Sequence, residues 1–421
     1  MDPRPTDQPP RRQAPRRAAR LPALLLLGSA LTGTLGGCSY IPWIGGEKDP
    51  TPPTKLADLV PAATLSPLWS VRPTVGSEGR RLGLVPAVGG GRVYVADARG
   101  RVVALDSGTG RVLWERETGL GFSAGPDLSG DKLLLGTTGG EALMLAAADG
   151  REVWRSQLDS EVLSVPRASG EGKVIVHSLD DTVYGLDAGT GKELWRFGYP
   201  PPVLTLRGSS SPTLVPGGVA VGLSGGRLVK LDLADGAPLW DVLVTPPSGR
   251  SELARISDID ADPIPVGNLL FVGTYNGDLA AVDLASGAVQ WRRELSSYAG
   301  LAATETELYV TDSEDLIWGA DPVSGAGRWK QEALRFRRLT APTPIGNLIA
   351  VGDLEGWIHL IAQSDGRLMG RIRLSGKGAI TARPVAAGGR LYVYSNDGTV
   401  SALSLGGTPA GRPAPEQGEG G

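Results

Sequence analysis

The sequence predicts an all-β, eight-bladed β-propeller with four antiparallel strands per blade, and three observations predict it. The pattern Asp-x-x-x-Gly-x-x-x-Trp closes the segments 104–114, 185–195, 230–240, 281–291 and 319–329. Tryptophans at 114, 154, 195, 240, 291 and 329 follow one another at intervals of 40, 41, 45, 51 and 38 residues. Within each interval, short runs alternate apolar and polar residues between glycine-containing turn signals, as half-buried strands do. Four such strands every ~40–45 residues is the period of a propeller blade.

In chain order, the first element is a targeting leader. Arg11, Arg12, Arg16, Arg17 and Arg20 form a basic region, followed by an apolar run over 21–35 that Pro22 interrupts. That run is too short and broken to span a bilayer. It ends in Leu35-Gly36-Gly37-Cys38, which reads as a bacterial lipobox: small residues admit a signal peptidase and the thiol takes the lipid. Residues 1–37 are therefore expected as a lipoprotein signal peptide, with Cys38 as the site of lipid attachment (palmitate among the acyl chains). The alternative is an ordinary secretory signal with a chance cysteine. The arginine pairs raise twin-arginine export, although the residues after Arg12 and Arg17 do not follow its usual motif. Several acyl chains on one cysteine give stable anchoring, which a single chain does not. Residues 38–65, rich in Pro, Gly and charge, read as the lipidated cysteine and a flexible tether. The propeller is expected over 66–405 and a disordered Gly/Pro-rich tail over 406–421.

The blades follow. The first reads RVYVADA, the turn Arg99-Gly100, RVVALD, a glycine turn and RVLWERE. Later second turns include Gly139-Gly140, Asn276-Gly277, Glu355-Gly356 and Asp397-Gly398. A short first strand is marked by Pro86, Pro126, Pro166, Pro212, Pro263, Leu301, Pro342 and Pro384. Two copies depart from the pattern: 144–154 has Ala146 for the Asp, and 359–370 has Ala362 for the Asp and Gly370 for the Trp. The last block, 390–403, lacks a fourth strand, whereas Trp69 in LSPLWSVRP (65–73) has nothing before it to complete. The N-terminal strand around Trp69 is therefore expected to pair with the last blade, closing the ring and removing the exposed edge at its seam. The tryptophans read as blade-to-blade packing, because a single blade cannot bury both faces.

Loop length then selects a site. From each Trp position to the next first-strand marker, the connections run 17, 12, 12, 17, 23, 10, 13 and 14 residues around the ring. The two longest successive ones, 198–211 and 241–262, emerge side by side on one face, and long loops on a rigid scaffold carry binding. The first places Leu204 and Leu206 beside Arg207; the second carries Asp258, Asp260 and Asp262 at alternating positions. Apolar residues with Arg and carboxylates fit a protein-docking patch. Arg207 pairing with the aspartates to brace the loops is the competing reading, and both can hold together. A calcium loop would need a Gly and a distal Glu that are missing here.

Charge narrows the function further. Residues 1–37 hold six arginines and two acids, so the remainder carries 36 basic against 43 acidic groups. That balance argues against nucleic acid as a partner. One Cys and two His, at 177 and 359, argue against a disulfide framework and against Cys- or His-rich metal centres. Both histidines sit in strand patterns and read as packed or edge residues.

The segments LTLRGSSSPT (204–213), RISDIDADP (255–263), YNGDLAAVDLASGAVQWRREL (275–295) and RRLTAPTPIGNLIAVGDLEGWIHLI (337–361) resemble the BamB family, lipoproteins of the outer-membrane β-barrel assembly (BAM) machinery. The resemblance runs from the lipobox to about residue 404. It implies an eight-bladed propeller at the periplasmic face of the outer membrane, bound to the POTRA domains of BamA and alongside other BAM subunits. It also implies a role in folding and inserting outer-membrane β-barrel proteins. Partner-facing residues carry over to Leu204, Leu206, Arg207, Asp258 and Asp260. Ser39, where an Asp would favour the inner membrane in lipoproteins, agrees with that destination. The propeller is expected to be monomeric outside the complex and to need no cofactor. Contact with nascent outer-membrane proteins is left open.

Two other readings compete. The segment from Ala104 to Trp114 also matches the docking motif of dehydrogenases that use pyrroloquinoline quinone, but those typically place a vicinal disulfide at the cofactor, which one Cys precludes. No G-x-S-x-G, P-loop or H-E-x-x-H motif is present, and the chain is expected not to be an enzyme. A general periplasmic propeller, binding unfolded clients by strand addition to blade edges, is the other alternative.

Overall fold

The computed structural model describes residues 51–374 and 378–406. The leader, Cys38 and the tail from 407 onward lie outside these residues. Among the described residues the secondary structure is almost entirely β, in eight sheets. Blades one to eight occupy 87–117, 122–157, 167–198, 213–243, 264–294, 300–331, 343–373, and 385–406 together with Thr64–Val71. Within each blade the strands run antiparallel and neighbour one another in sequence order. In blade eight the outer place is taken by Thr64–Val71, which pairs with Val400–Gly406 in the register Ser70↔Ser401. Blade two gains a fifth strand that the sequence did not announce: Gly83–Leu84 runs parallel to Phe122–Ser129. No helix of the described residues is long and apolar enough to cross a membrane.

The repeat positions explain why blades stack. The indole N–H of Trp69, Trp114, Trp154, Trp195, Trp240, Trp291 and Trp329 each donates to a carbonyl of the following blade at 2.8–3.1 Å. Each ring lies on the turn glycine of that blade. At Gly236 a Cβ would sit 2.4 Å from the Trp195 ring, and φ is +75°, so glycine is required both for space and for backbone conformation. The turn Asp fixes the hairpin, as where Asp106 Oδ1 accepts the Thr109 N–H at 2.9 Å.

Gly370, the exception among the Trp positions, has a structural cause. The incoming chain crosses there: Ala62 and Ala63 N–H donate to the Met369 carbonyl at 2.7 and 2.8 Å. A Cβ on Gly370 would lie 2.1 Å from the Ala63 carbonyl oxygen. The expected tether is accordingly corrected at its C-terminal end. Thr54 is already tied to the propeller: its N–H donates to the Arg335 carbonyl and its carbonyl accepts from Arg337. The chain then follows blade seven to the closing strand, because Gly370 leaves it room.

Both histidines are buried in strands. His359 Nε2 lies 2.9 Å from Asp353 Oδ2, which also takes the Arg337 guanidinium. Burial holds the His359 imidazole below its ordinary value, against the pull of Asp353. The network ties blade seven to the strap at Thr54.

Candidate docking site

The two long connections cover 199–212 and 244–263 in the structure and lie next to each other around the ring. Their one regular element is the short turn Leu253–Arg255. Of the three aspartates, Asp258 is buried and Asp260 and Asp262 are partly so, while Ile259 and Ala261 between them are buried as well.

Asp258 is 2 % exposed, and both its oxygens are used. Oδ2 accepts the Leu206 N–H at 2.6 Å and Oδ1 the Gly225 N–H at 2.9 Å, so one carboxylate clips the first loop and the second hairpin turn of blade four. Burial raises its carboxyl above the usual range, while the two amide bonds oppose that shift. Asp262 works the same way, taking the Ser211 N–H at 2.6 Å. Asp260 lies against Gly208, where a Cβ would come within 2.6 Å of Oδ1. Burial, reinforced by the charge of Asp258, pushes its carboxyl up to about 7. Ile259, between the acids, packs onto Gly222. His177 supports the first loop from below, its Nδ1 donating to the Ser210 carbonyl at 3.0 Å.

The expected bracing of Arg207 by these aspartates is corrected. Arg207 is exposed, and its Nη2 pairs at 2.5 Å with Glu161 Oε2, from the connection before blade three. Asp258 and Asp262 are engaged by backbone N–H groups, and the guanidinium goes to the neighbouring connection. Asp258 consequently serves loop geometry, not a partner-facing surface. Leu204 is 46 % exposed and Leu206 half-buried.

Three surface residues escaped the sequence reading. Val203 (88 % exposed) and Leu253 (71 %) extend the apolar surface, and Glu161 orients Arg207. Val203 and Leu253 stood in the two selected loops, so loop length itself was the signal; nothing in the sequence marked Glu161. The result is a set of exposed apolar side chains and an oriented ion pair, on loops tied together by the Asp258 and Asp262 carboxylates. Chemically this surface can bury side chains and offer a directional charge. Among the described residues no cluster of three or more His, Cys, Asp or Glu could hold a metal ion.

The fold and this surface define a class: an eight-bladed propeller with quinoprotein-like repeats whose developed feature is a pair of long adjacent loops with exposed apolar side chains. The family model for "Outer membrane protein assembly factor BamB" matches residues 59–122 and 98–331. A BamB from Alkalilimnicola ehrlichii is 40 % identical over 350 residues, covering 83 % of this chain and 91 % of the relative. The crystal structure of BamB from Moraxella catarrhalis superposes with a TM-score of 0.74 at 28 % identity, covering 81 % of this chain and 100 % of that one. The chain belongs to the BamB family of outer-membrane protein assembly factors. A quinohemoprotein alcohol dehydrogenase from Comamonas testosteroni, with a TM-score of 0.63 at 15 % identity over 86 % of this chain and 80 % of that one, shares the fold alone.

Proposed function

We propose that this protein is a non-enzymatic scaffold of the BAM complex, anchored to the outer membrane through acylated Cys38 and facing the periplasm. In this reading it docks on the POTRA domains of BamA and promotes folding and insertion of outer-membrane β-barrel proteins. The observation that carries it is the pair of adjacent long loops with Val203, Leu204, Arg207 and Leu253 at the surface and Asp258 and Asp262 clipping them from within. Leu204 and Leu206 supply apolar burial, Arg207 a charge oriented by Glu161, and Asp258 and Asp260 the loop geometry. Truncating one member of a desolvated interfacial charge pair costs about 2–5 kcal/mol. The test is binding of the chain from Ser39 onward to the periplasmic domains of its cognate BamA, wild type against Arg207→Glu, both shown folded by circular dichroism. Binding by wild type alone is the expected result; equal binding removes Arg207 from the interface, and no binding by folded wild type overturns the reading.

A second reading, strand addition by unfolded clients, draws on the outer strands. Leu68, Leu113, Val153, Leu194 and Leu239 stand exposed immediately before the Trp of five consecutive blades, on edge strands. Client capture by those edges would survive Arg207→Glu, and the same variant therefore separates the two.

A further inference from the structure

The first strands of the blades, with the connections that enter them, enclose an axial cavity of about 680 Å3. Val85, Val165, Leu301, Ala341 and Val385 give it apolar walls on several sides. The chain itself caps this cavity. Arg81 lies over the ring of Tyr298, in the connection before blade six, with its guanidinium carbon 4.8 Å from the ring centre. Two residues later, Gly83 pairs with Ala124 of blade two. Blades two and six stand opposite each other in a ring of eight, so residues 81–84 cross the axis. Glycine is needed at 83, where a Cβ would lie 2.9 Å from the Leu163 carbonyl oxygen. The short parallel strand of blade two thus anchors a cap over the cavity.

Five charged side chains line the cavity: Asp127, Arg167, Asp260, Asp262 and Arg383. Three of them answer one another. Arg167 Nη1 meets Asp127 Oδ1 at 2.5 Å and its Nη2 lies 3.7 Å from Asp262 Oδ2, while Asp262 Oδ1 takes the Ser211 N–H at 2.6 Å. Arg383 is left over. Its Nε makes a long 3.4 Å bond to Thr343 Oγ1, and among the described residues no carboxylate stands within ion-pair distance of it. The Thr343 hydroxyl is itself fixed, donating to the Pro384 carbonyl at 2.7 Å. Burial lowers the Arg383 guanidinium from its ordinary value, against the pull of Asp262. A guanidinium drawn out of water without a counter-ion is costly, and its planar fork matches a carboxylate. A dianion would be repelled by the three aspartates, so the charge balance selects a monoanion. The volume falls in the range of small-ligand pockets.

We propose that the axial cavity binds a small organic monocarboxylate, with its carboxylate on the Arg383 fork and its apolar body against Val85, Leu301 and Val385. The full chain carrying Cys38→Ser, which removes the expected acylation site, is titrated with benzoate by calorimetry. Benzyl alcohol, which lacks the charge, and phenyl phosphate, which carries a second one, are titrated alongside. Benzoate is expected to bind more tightly than either. Arg383→Gln should weaken benzoate roughly 10- to 100-fold, as loss of hydrogen bonds to a charged group does. Arg383→Lys keeps the charge without the fork and should weaken it less, which keeps the test open where the glutamine variant fails to fold. Arg151→Gln, at an exposed turn of blade two, should change nothing. Amide resonances of Leu301 and Thr343 should shift with benzoate, and those of Leu204 and Leu253 in the docking loops should not. No benzoate binding by the folded chain, tighter binding of phenyl phosphate, undiminished binding by a folded Arg383→Gln protein, or shifts confined to the docking loops would overturn the assignment.

Discussion

Replacing Asp258 by Ala tests whether the docking loops are held by buried carboxylates. The carboxylate accepts two N–H groups from different segments, Leu206 at 2.6 Å and Gly225 at 2.9 Å. Hydrogen bonds to a charged group contribute about 1.5–3 kcal/mol each. The raised carboxyl shows that burying this charge is itself costly, which offsets part of that sum. The expected net loss is about 2–4 kcal/mol, confined to the loops, because the blade strands keep their own ladders. Hydrogen exchange is the assay: protection of the Leu206 and Gly225 amides should fall roughly 30- to 700-fold, at 1.4 kcal/mol per factor of ten. Amides in the inner strands of blades four and five, such as Val221 and Val272, should be unchanged. Unaltered protection at Leu206 in a folded Asp258→Ala protein would refute the reasoning, since the loop would then hold its shape without the clip.

Two further outcomes follow from the same structure. Asp260 is raised to about 7 by burial beside Asp258, so between its ordinary value and about 7 the folded state binds more protons than the unfolded one. The corresponding stability is full below the ordinary carboxyl range and is lost as pH rises through about 7; thermal melts should show wild type losing stability from pH 5 to 8 relative to Asp260→Asn. Gly370→Trp, which restores the repeat consensus, should destabilise the protein by at least 1–3 kcal/mol as overpacking does, because the Ala63 carbonyl occupies that space; a denaturant midpoint at or above wild type would refute this.

The blades were legible because their signals are local and periodic. Trp195, Gly191 and Asp187 lie within nine positions of one another, and strand alternation repeats between them. The count of eight was legible because Trp69 had no strands before it and the last block had no outer strand. What escaped depends on contacts between distant segments. Arg207 meets Glu161 across a blade, and no pattern distinguishes that acid from Asp258. Residues 54–63 look like a linker in composition, yet they bind blade seven through backbone groups, and backbone groups leave no mark on composition. Gly370 was visible as an anomaly, but its reason, the passage of Ala63, exists only once the ring has closed. The parallel Gly83–Leu84 pair is too short for any periodicity.

The hydrogen bonding of Asp258 and Asp262 separates what holds the loops from what they display. Alternating aspartates on an exposed loop would ordinarily read as a surface charge pattern. Here Asp258 and Asp262 accept backbone N–H groups of the first loop, and Asp260 lies against Gly208. The opposite demand is met by the first loop and the Leu253–Arg255 turn, which carry Val203, Leu204 and Leu253 to the surface. Apolar tips on an unrestrained loop would lose much of their binding free energy to ordering on association. Tips clipped by buried carboxylates have been ordered during folding instead. On the proposed docking, Asp258→Ala should therefore weaken binding as strongly as Arg207→Glu, although Asp258 is buried and Arg207 exposed.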